Sequence, residues 1–322
     1  MNLPVRFAQE CARLGLGNGE TLGLAVSGGP DSLALLVLAQ QAMPSAIKVA
    51  TVDHGLRPEA ADEAAFVART CADLGVPHET LHVSLEPGGN VQARARGERY
   101  AALGAWASRE GLRFVATAHH ADDIAETLLM RLNRASGIRG LGAMRERGMM
   151  PGRSDIMLIR PLLTMPRAEL AMIVERAGLE AVDDPSNADP AYDRARVRQG
   201  LADADWLDPM RLAASAIHLR DVADVLEFAA RHEFAAQVSM SEDGSQLAYN
   251  PAGPRSVRFR VLEEIVARYA SEGTPRGEEV ARLLESLESG DKGTLAGVMC
   301  TPRAGVWHFT AAPPRNDGAG EG

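Results

Sequence analysis

Short apolar runs alternate with helical stripes through the first half of the chain. Residues 22–26, 47–52, 78–83 and 114–118 are apolar-rich and of strand length, and each is bounded by turn-forming or polar residues. Residues 31–41, 58–74, 91–110 and 121–134 lie between or after them and carry Ala, Leu and other apolar residues at helical spacing, as does a leading segment, 4–14. Strand–helix alternation of this kind predicts an α/β fold, a doubly wound parallel sheet with helices on both faces. In such sheets ligands bind beyond the carboxyl ends of the strands. The polar stretches SGGPDS, DHGLR and HHADD each follow a predicted strand, so they are expected to meet in one crevice.

The pattern changes further along. Residues 135–155 are rich in Gly with little periodicity and read as a mobile, substrate-facing loop. A short strand over 156–163 and a helix over 166–177 follow, and then a turn-rich stretch, 183–189. Beyond it the pattern predicts helices over 208–238, 256–270 and 275–289, with a hairpin formed by 294–299 and 306–311. The expected organisation is therefore an α/β catalytic domain over residues 1–205, a smaller and mainly helical domain over 206–312, and a disordered tail over 313–322.

Composition narrows the functional classes. The hydrophobic share of 46% and the charged share of 24% are those of a soluble globular protein. No apolar run approaches the roughly 18 residues of a membrane span, and residues 1–10 lack the apolar core of a signal peptide, so a cytoplasmic location without membrane partners is expected. Cys11, Cys71 and Cys300 are far apart and form no Cys-x-x-Cys, which argues against disulfides, zinc and iron–sulfur clusters. A net charge of −9 disfavours nucleic-acid binding over the whole surface. Its distribution points the other way: Arg131, Arg134, Arg139, Arg145, Arg147 and Arg153 are opposed between them only by Glu146, and Arg194, Arg196 and Arg198 form a second cluster. The alternatives for these arginines are phosphate contact and solvated surface, and the almost acid-free, Gly- and Met-rich character of the 131–153 run favours phosphate.

Two stretches carry candidate chemistry. Ser27-Gly28-Gly29-Pro30-Asp31-Ser32 joins a strand to a helix that Asp31 or Ser32 is expected to open. Glycines let backbone approach a ligand, the first helical turn offers unpaired N–H groups, and Ser27 and Ser32 add hydroxyls, so the turn is suited to an anion. It is neither a Walker A loop, lacking Gly-Lys-Ser/Thr, nor a dinucleotide fingerprint, its two glycines being adjacent. In His119-His120-Ala121-Asp122-Asp123-Ile124-Ala125-Glu126, either Asp122 or Asp123 can share a helix face with Glu126. Carboxylates beside a polyphosphate would repel it unless they held Mg²⁺ or a cationic substrate. Helix capping accounts for one of them and leaves the rest without a role.

SGGPDS resembles the PP-loop of the ATP pyrophosphatases, which are adenine nucleotide alpha hydrolase-like. Taken in order, SGGPDS, VDHGLR, ARGERY, TAHHADDIAET, RASGIRGL and DDPSNADPAYDRARVR resemble the tRNA(Ile)-lysidine synthetases over roughly residues 20–200. That resemblance implies ATP-dependent adenylation of the wobble cytidine of tRNA(Ile), with release of pyrophosphate, and displacement of AMP by L-lysine. It further implies that Ser27, Gly28, Gly29, Pro30, Asp31 and Ser32, with Asp53 and His54, bind ATP, and that Asp31 holds Mg²⁺. His119, Asp123 and Glu126 would line the pocket where ATP and lysine meet. Arg99 and Arg196 would face phosphate or the cytosine, and Glu126 or His119 would accept the proton of the attacking amine. The helical C-terminal domain would position tRNA. Ala135, where Gly is usual, and Ala195, where Asn is usual, depart from the family pattern, both changes being to a small residue. A related tRNA thiolase is the nearest rival, and the missing Cys-x-x-Cys counts against it.

Overall fold

The computed structural model describes residues 2–55, 59–84, 91–142, 144–182, 193–270, 273 and 275–312. The chain divides into two compact units between Arg220 and Asp221. The first contains β1 (Leu22–Ala25), β2 (Ile47–Asp53), β3 (His78–His82), β4 (Phe114–Ala116), β5 (Arg147–Met149) and β6 (Met157–Ile159). Its helices are α1 (Leu3–Arg13), α2 (Pro30–Ala42), α3 (Glu59–Asp73), α4 (Val91–Arg109), α5 (Ala121–Leu132), α6 (Ile138–Leu141), α7 (Arg167–Arg176), α8 (Asp193–Asp203) and the start of α9 (Pro209–Gln237).

The six strands pair in the order β3-β2-β1-β4-β6-β5, parallel except for β5, which runs antiparallel to β6. Strand alternation sends neighbouring residues to opposite faces. Val49, Phe114 and Ala116 enter one core with Phe7, Leu35, Val67 and Leu170 of α1, α2, α3 and α7, whereas Ala50 and Val115 enter another with Tyr100, Leu103 and Trp106 of α4. Helix α2 is buried from Ser32 to Ala39, which explains why it is apolar all round rather than striped. Strand order reverses between β1 and β4, so the turns after these strands open onto a topological switch point.

The segment over 135–155 is not the wholly irregular loop expected from sequence: it contains α6 and β5. Within it Glu146 is held by Arg13 at 2.8 Å and by Arg220 at 3.3 Å, and Leu141 and Met144 pack on a cluster of Ile124, Leu128, Ala213 and Ala216. Gly142 permits this docking. A Cβ there would stand 2.6 Å from the Arg220 Cα, against helix backbone that cannot rotate aside. We expect Gly142→Ala to destabilise the protein by about 1–3 kcal/mol, the usual range for overpacking. A denaturant midpoint unchanged from wild type would show that the segment docks without close contact.

The second unit holds the rest of α9, α10 (Arg255–Tyr269), α11 (Gly277–Glu288) and a five-stranded antiparallel sheet in the order β7-β8-β11-β10-β9. These strands are β7 (Val238–Met240), β8 (Gln246–Tyr249), β9 (Gly293–Leu295), β10 (Val298–Arg303) and β11 (Val306–Ala311). The expected hairpin is β10–β11, and the expected helices over 256–270 and 275–289 are α10 and α11. Val280, Leu283, Leu284 and Leu287 give α11 one apolar stripe, which packs with Val261 and Ile265 of α10 and with Tyr249, Trp307 and Phe309 of the sheet.

Candidate active site

The turn after β1 is built on Gly28, whose φ of +92° suits only glycine and whose added Cβ would lie 3.3 Å from Val67. Pro30 rather than Asp31 or Ser32 opens α2, behind an extended Gly29 with no side-chain cap. Proline's missing N–H and preset φ make it suited to that first position. The Ser32 hydroxyl is used inside the turn. It accepts from the Ser27 N–H at 3.2 Å and donates to the Gly29 carbonyl at 2.9 Å. With no side chain capping α2, its leading N–H groups remain available to an anion.

Asp31 projects from this turn toward the start of α5, where His120 is fully buried. The His120 Nε2 lies 3.3 Å from Asp31 Oδ2 and 3.6 Å from Asp123 Oδ2, and Nδ1 lies 3.5 Å from Asp122 Oδ2. Neither ring nitrogen meets hydrogen-bond geometry, so these contacts act as charge pairs. Burial alone would lower the His120 pKa. Asp122, Asp31 and Asp123 outweigh it and push it up to about 9, which makes the ring cationic at neutral pH. Burial would raise the Asp31 pKa, but His120, Arg167 and Arg198 hold it below the usual carboxylate range. Asp122 turns away from Glu126 and accepts the Arg167 backbone N–H at 2.8 Å.

Asp123 and Glu126 share the other face of α5, toward α8. Arg194 pairs with Asp123 and, at 2.7 Å, with Glu126, whose second oxygen meets Arg198 at 2.7 Å. Burial would raise the Glu126 pKa, yet Arg198 and Arg194 hold it low, so this buried group is an ion with both oxygens engaged. Helical spacing places Arg194 and Arg198 on one face of α8 and Arg196 on another. Arg196 is exposed and paired with Asp193, and the structure does not bring it to the carboxylates. Helix α8 buries no residue, so no apolar stripe marked it in the sequence.

A cleft of roughly 500 Å³ opens beside these groups. Of the expected site residues, Ser27, Gly29, Pro30, Asp31, Ser32, His54, Arg99, His119 and Asp123 line it, together with Arg167 and Arg198. Burial, then Arg160, Arg194, Arg99 and Arg96, holds the His119 pKa well below its usual value, and its Nδ1 lies 2.9 Å from the Thr117 hydroxyl. Burial and Arg99 likewise lower the pKa of His54. Both rings are therefore neutral at pH 7. Gly28, Asp53 and Glu126 stand behind the lining. Asp53 instead accepts the Gly55 N–H at 2.9 Å and lies 3.4 Å from His82, which makes it a turn-holding residue. His120 and Arg167 are the site residues that the sequence left without a role, and Arg194 and Arg198, expected only as part of an arginine cluster, turn out to hold Asp123 and Glu126. Only the i, i+4 spacing of these two arginines hinted at a shared face. Residues 183–192, the part of DDPSNADPAYDRARVR before Asp193, and Leu56 and Arg57 of VDHGLR lie outside the described residues. Among the described residues no group of three or more His, Cys, Asp or Glu could hold a metal, and no helix is long and apolar enough to cross a membrane.

Residues 5–204 match the PP-loop domain family. Over 293 residues the chain is 49% identical to the tRNA(Ile)-lysidine synthase of Novosphingobium aromaticivorans, covering 90% of this chain and 88% of that one. The chain belongs to the tRNA(Ile)-lysidine synthase family. The protein of the same name from Zymomonas mobilis is 40% identical, over 91% of this chain and 89% of its own. A U34-tRNA thiolase of Methanococcus maripaludis superposes with a TM-score of 0.57 at 16% identity, over 69% of this chain and 78% of its own, a likeness of fold alone. As a PP-loop member of the tRNA(Ile)-lysidine synthase family, the chain is an ATP-using enzyme.

Proposed function

We propose that the chain converts the wobble cytidine of tRNA(Ile) with a CAU anticodon to lysidine, using ATP to adenylate the base and L-lysine to displace AMP. Family membership supports this reading, and the observation that carries it is the convergence of three features on one cleft: the uncapped turn at Ser27–Ser32, the acid Asp31, and a neutral His119 among arginines. The uncapped leading N–H groups of α2 receive phosphate oxygens. Arg99 and Arg198 line the same cleft and add positive charge where charge develops. Asp31 fits a Mg²⁺ site of the kind that uses one or two carboxylates and completes its shell with substrate phosphates. When bound there, Mg²⁺ would neutralise charge on the departing pyrophosphate. The lysine amine must be neutral to attack, and neutral His119 is the lining group placed to take its proton. Glu126 is not, because Arg194 and Arg198 hold both its oxygens. The second unit, which presents none of the cleft residues, is assigned to holding the tRNA.

Incubating the protein with ATP, labelled lysine and unmodified tRNA(Ile), then analysing nucleosides, tests the reading. Lysidine should form, with AMP and pyrophosphate released only when tRNA is present. Pyrophosphate release without tRNA, or a thiolated base, would overturn it. The thiols provide a separate check. Cys11, Cys71 and Cys300 are fully buried, and burial pushes each up to about 12. Native protein should therefore resist alkylation at pH 7.5 and lose no activity, whereas rapid labelling that stops turnover would restore a sulfur-transfer reading.

A further inference from the structure

We infer that Arg167 is a contact for the β,γ-phosphates of ATP, and so for the pyrophosphate that leaves. The inference rests on the ATP reading above and adds a residue outside the Ser27–Ser32 turn. Arg167 is the first residue of α7, and its position is set independently of any ligand. Its backbone N–H donates to Asp122 Oδ2 at 2.8 Å, and Leu170, Ile173 and Val174 bury the helix beside α2. The side chain is held at the cleft but not used there. It lines the cleft, is 41% exposed, and its Nε stands 3.9 Å from Asp31 Oδ1, beyond hydrogen-bond length. Among the described residues Asp31 is the one ion-pair partner of this guanidinium, and that carboxylate already faces the buried cation of His120.

The other lining arginines differ. Arg198 is bonded twice to Glu126, and Arg99 lies over the Tyr100 ring at 5.4 Å. Arg167 is thus a planar donor with its fork unfilled, alongside the turn whose N–H groups await an anion. A guanidinium in that state binds a phosphate through two parallel charge-assisted hydrogen bonds. Arg167 stands beside Asp31 at the leading end of α2, and the ATP reading puts the departing pyrophosphate at Asp31, which selects the β,γ-phosphates.

The experiment compares binding of ATP, AMP and inorganic pyrophosphate, with Mg²⁺ present, to the full chain and its Arg167→Gln and Arg167→Lys variants by calorimetric titration. Arg167→Gln should weaken ATP and pyrophosphate by about tenfold or more, the scale of one charge-assisted contact, and leave AMP unaffected. Arg167→Lys should fall between, keeping the charge and losing the fork. Equal weakening of ATP and AMP would make Arg167 a structural residue, and unchanged ATP binding by Arg167→Gln would remove it from the site. If the wild type binds neither ATP nor pyrophosphate, the functional reading itself fails, and the two failures are distinct.

Discussion

Asp31→Ala is expected to stop tRNA-dependent pyrophosphate release, lowering the rate by about 100-fold or more, the scale seen when one electrostatic group is removed from a preorganised site. The reasons are local. Asp31 is the acid nearest the phosphate-binding turn, and it lines the cleft while Asp122 is taken up by the Arg167 backbone. Its removal also leaves His120 a cation with two acidic neighbours instead of three, Asp122 and Asp123. The fold should survive, because the turn is held by Ser32 and by the Val182 N–H bonded to the Gly28 carbonyl at 3.1 Å, and neither needs the carboxylate. Asp31→Asn separates shape from charge and should be nearly as inactive. A folded Asp31→Ala protein that releases pyrophosphate at the wild-type rate would remove Asp31 from the chemistry.

Glu126→Gln should slow adenylation and lysine transfer by the same factor. Sequence reasoning made Glu126 a candidate proton acceptor, which would slow lysine transfer alone. In the structure the side chain is 3% exposed, its pKa is held low, and it orders Arg194 and Arg198 of α8. Breaking a buried ion pair costs about 3–5 kcal/mol. Because Arg194 is 42% and Arg198 28% exposed, water recovers part of that, and we expect about 1–2 kcal/mol. The pH dependence follows from the sign of the shift. A carboxylate with a depressed folded pKa stabilises above the ordinary value, near 4.3, and loses that contribution as pH falls through the depressed one. Helix α8 should therefore lose amide protection in acid before the sheet does. Single-turnover trapping of AMP-linked tRNA separates the two chemical steps, and selective slowing of lysine transfer would return Glu126 to the role of base.

Much of the first unit was legible because its elements bury one clear pattern each. The strands at 22, 47, 78 and 114 and the helices between them come within a few residues of their expected ends, since each short apolar run is flanked by turn residues and packs against a neighbour close in sequence. The phosphate-binding turn and HHADD were legible for a similar reason. Adjacent residues carry their chemistry, and the strand before each one aims it at the switch point.

Elements held by distant partners were not legible. Strands β7 and β8 exist because β11, about 60 residues later, lies beside β8, whereas β5, though it pairs with nearby β6, is a three-residue Arg-Gly-Met strand with no apolar run to mark it. Helix α8 buries nothing, and its face toward α5 is made of arginines whose acids lie about 70 residues earlier. Arg196 was expected at the site from the resemblance, and at that distance nothing in the sequence singled out Arg194 and Arg198 instead. Tertiary structure alone also decided the charge states: His119 and His120 are adjacent and chemically identical, yet one is ringed by arginines and stays neutral, while the other is ringed by aspartates and is a cation. A sequence specifies which residues are available and which local element carries them. The field each one feels is set by charges folded in from elsewhere, at separations where a few ångströms reverse the outcome.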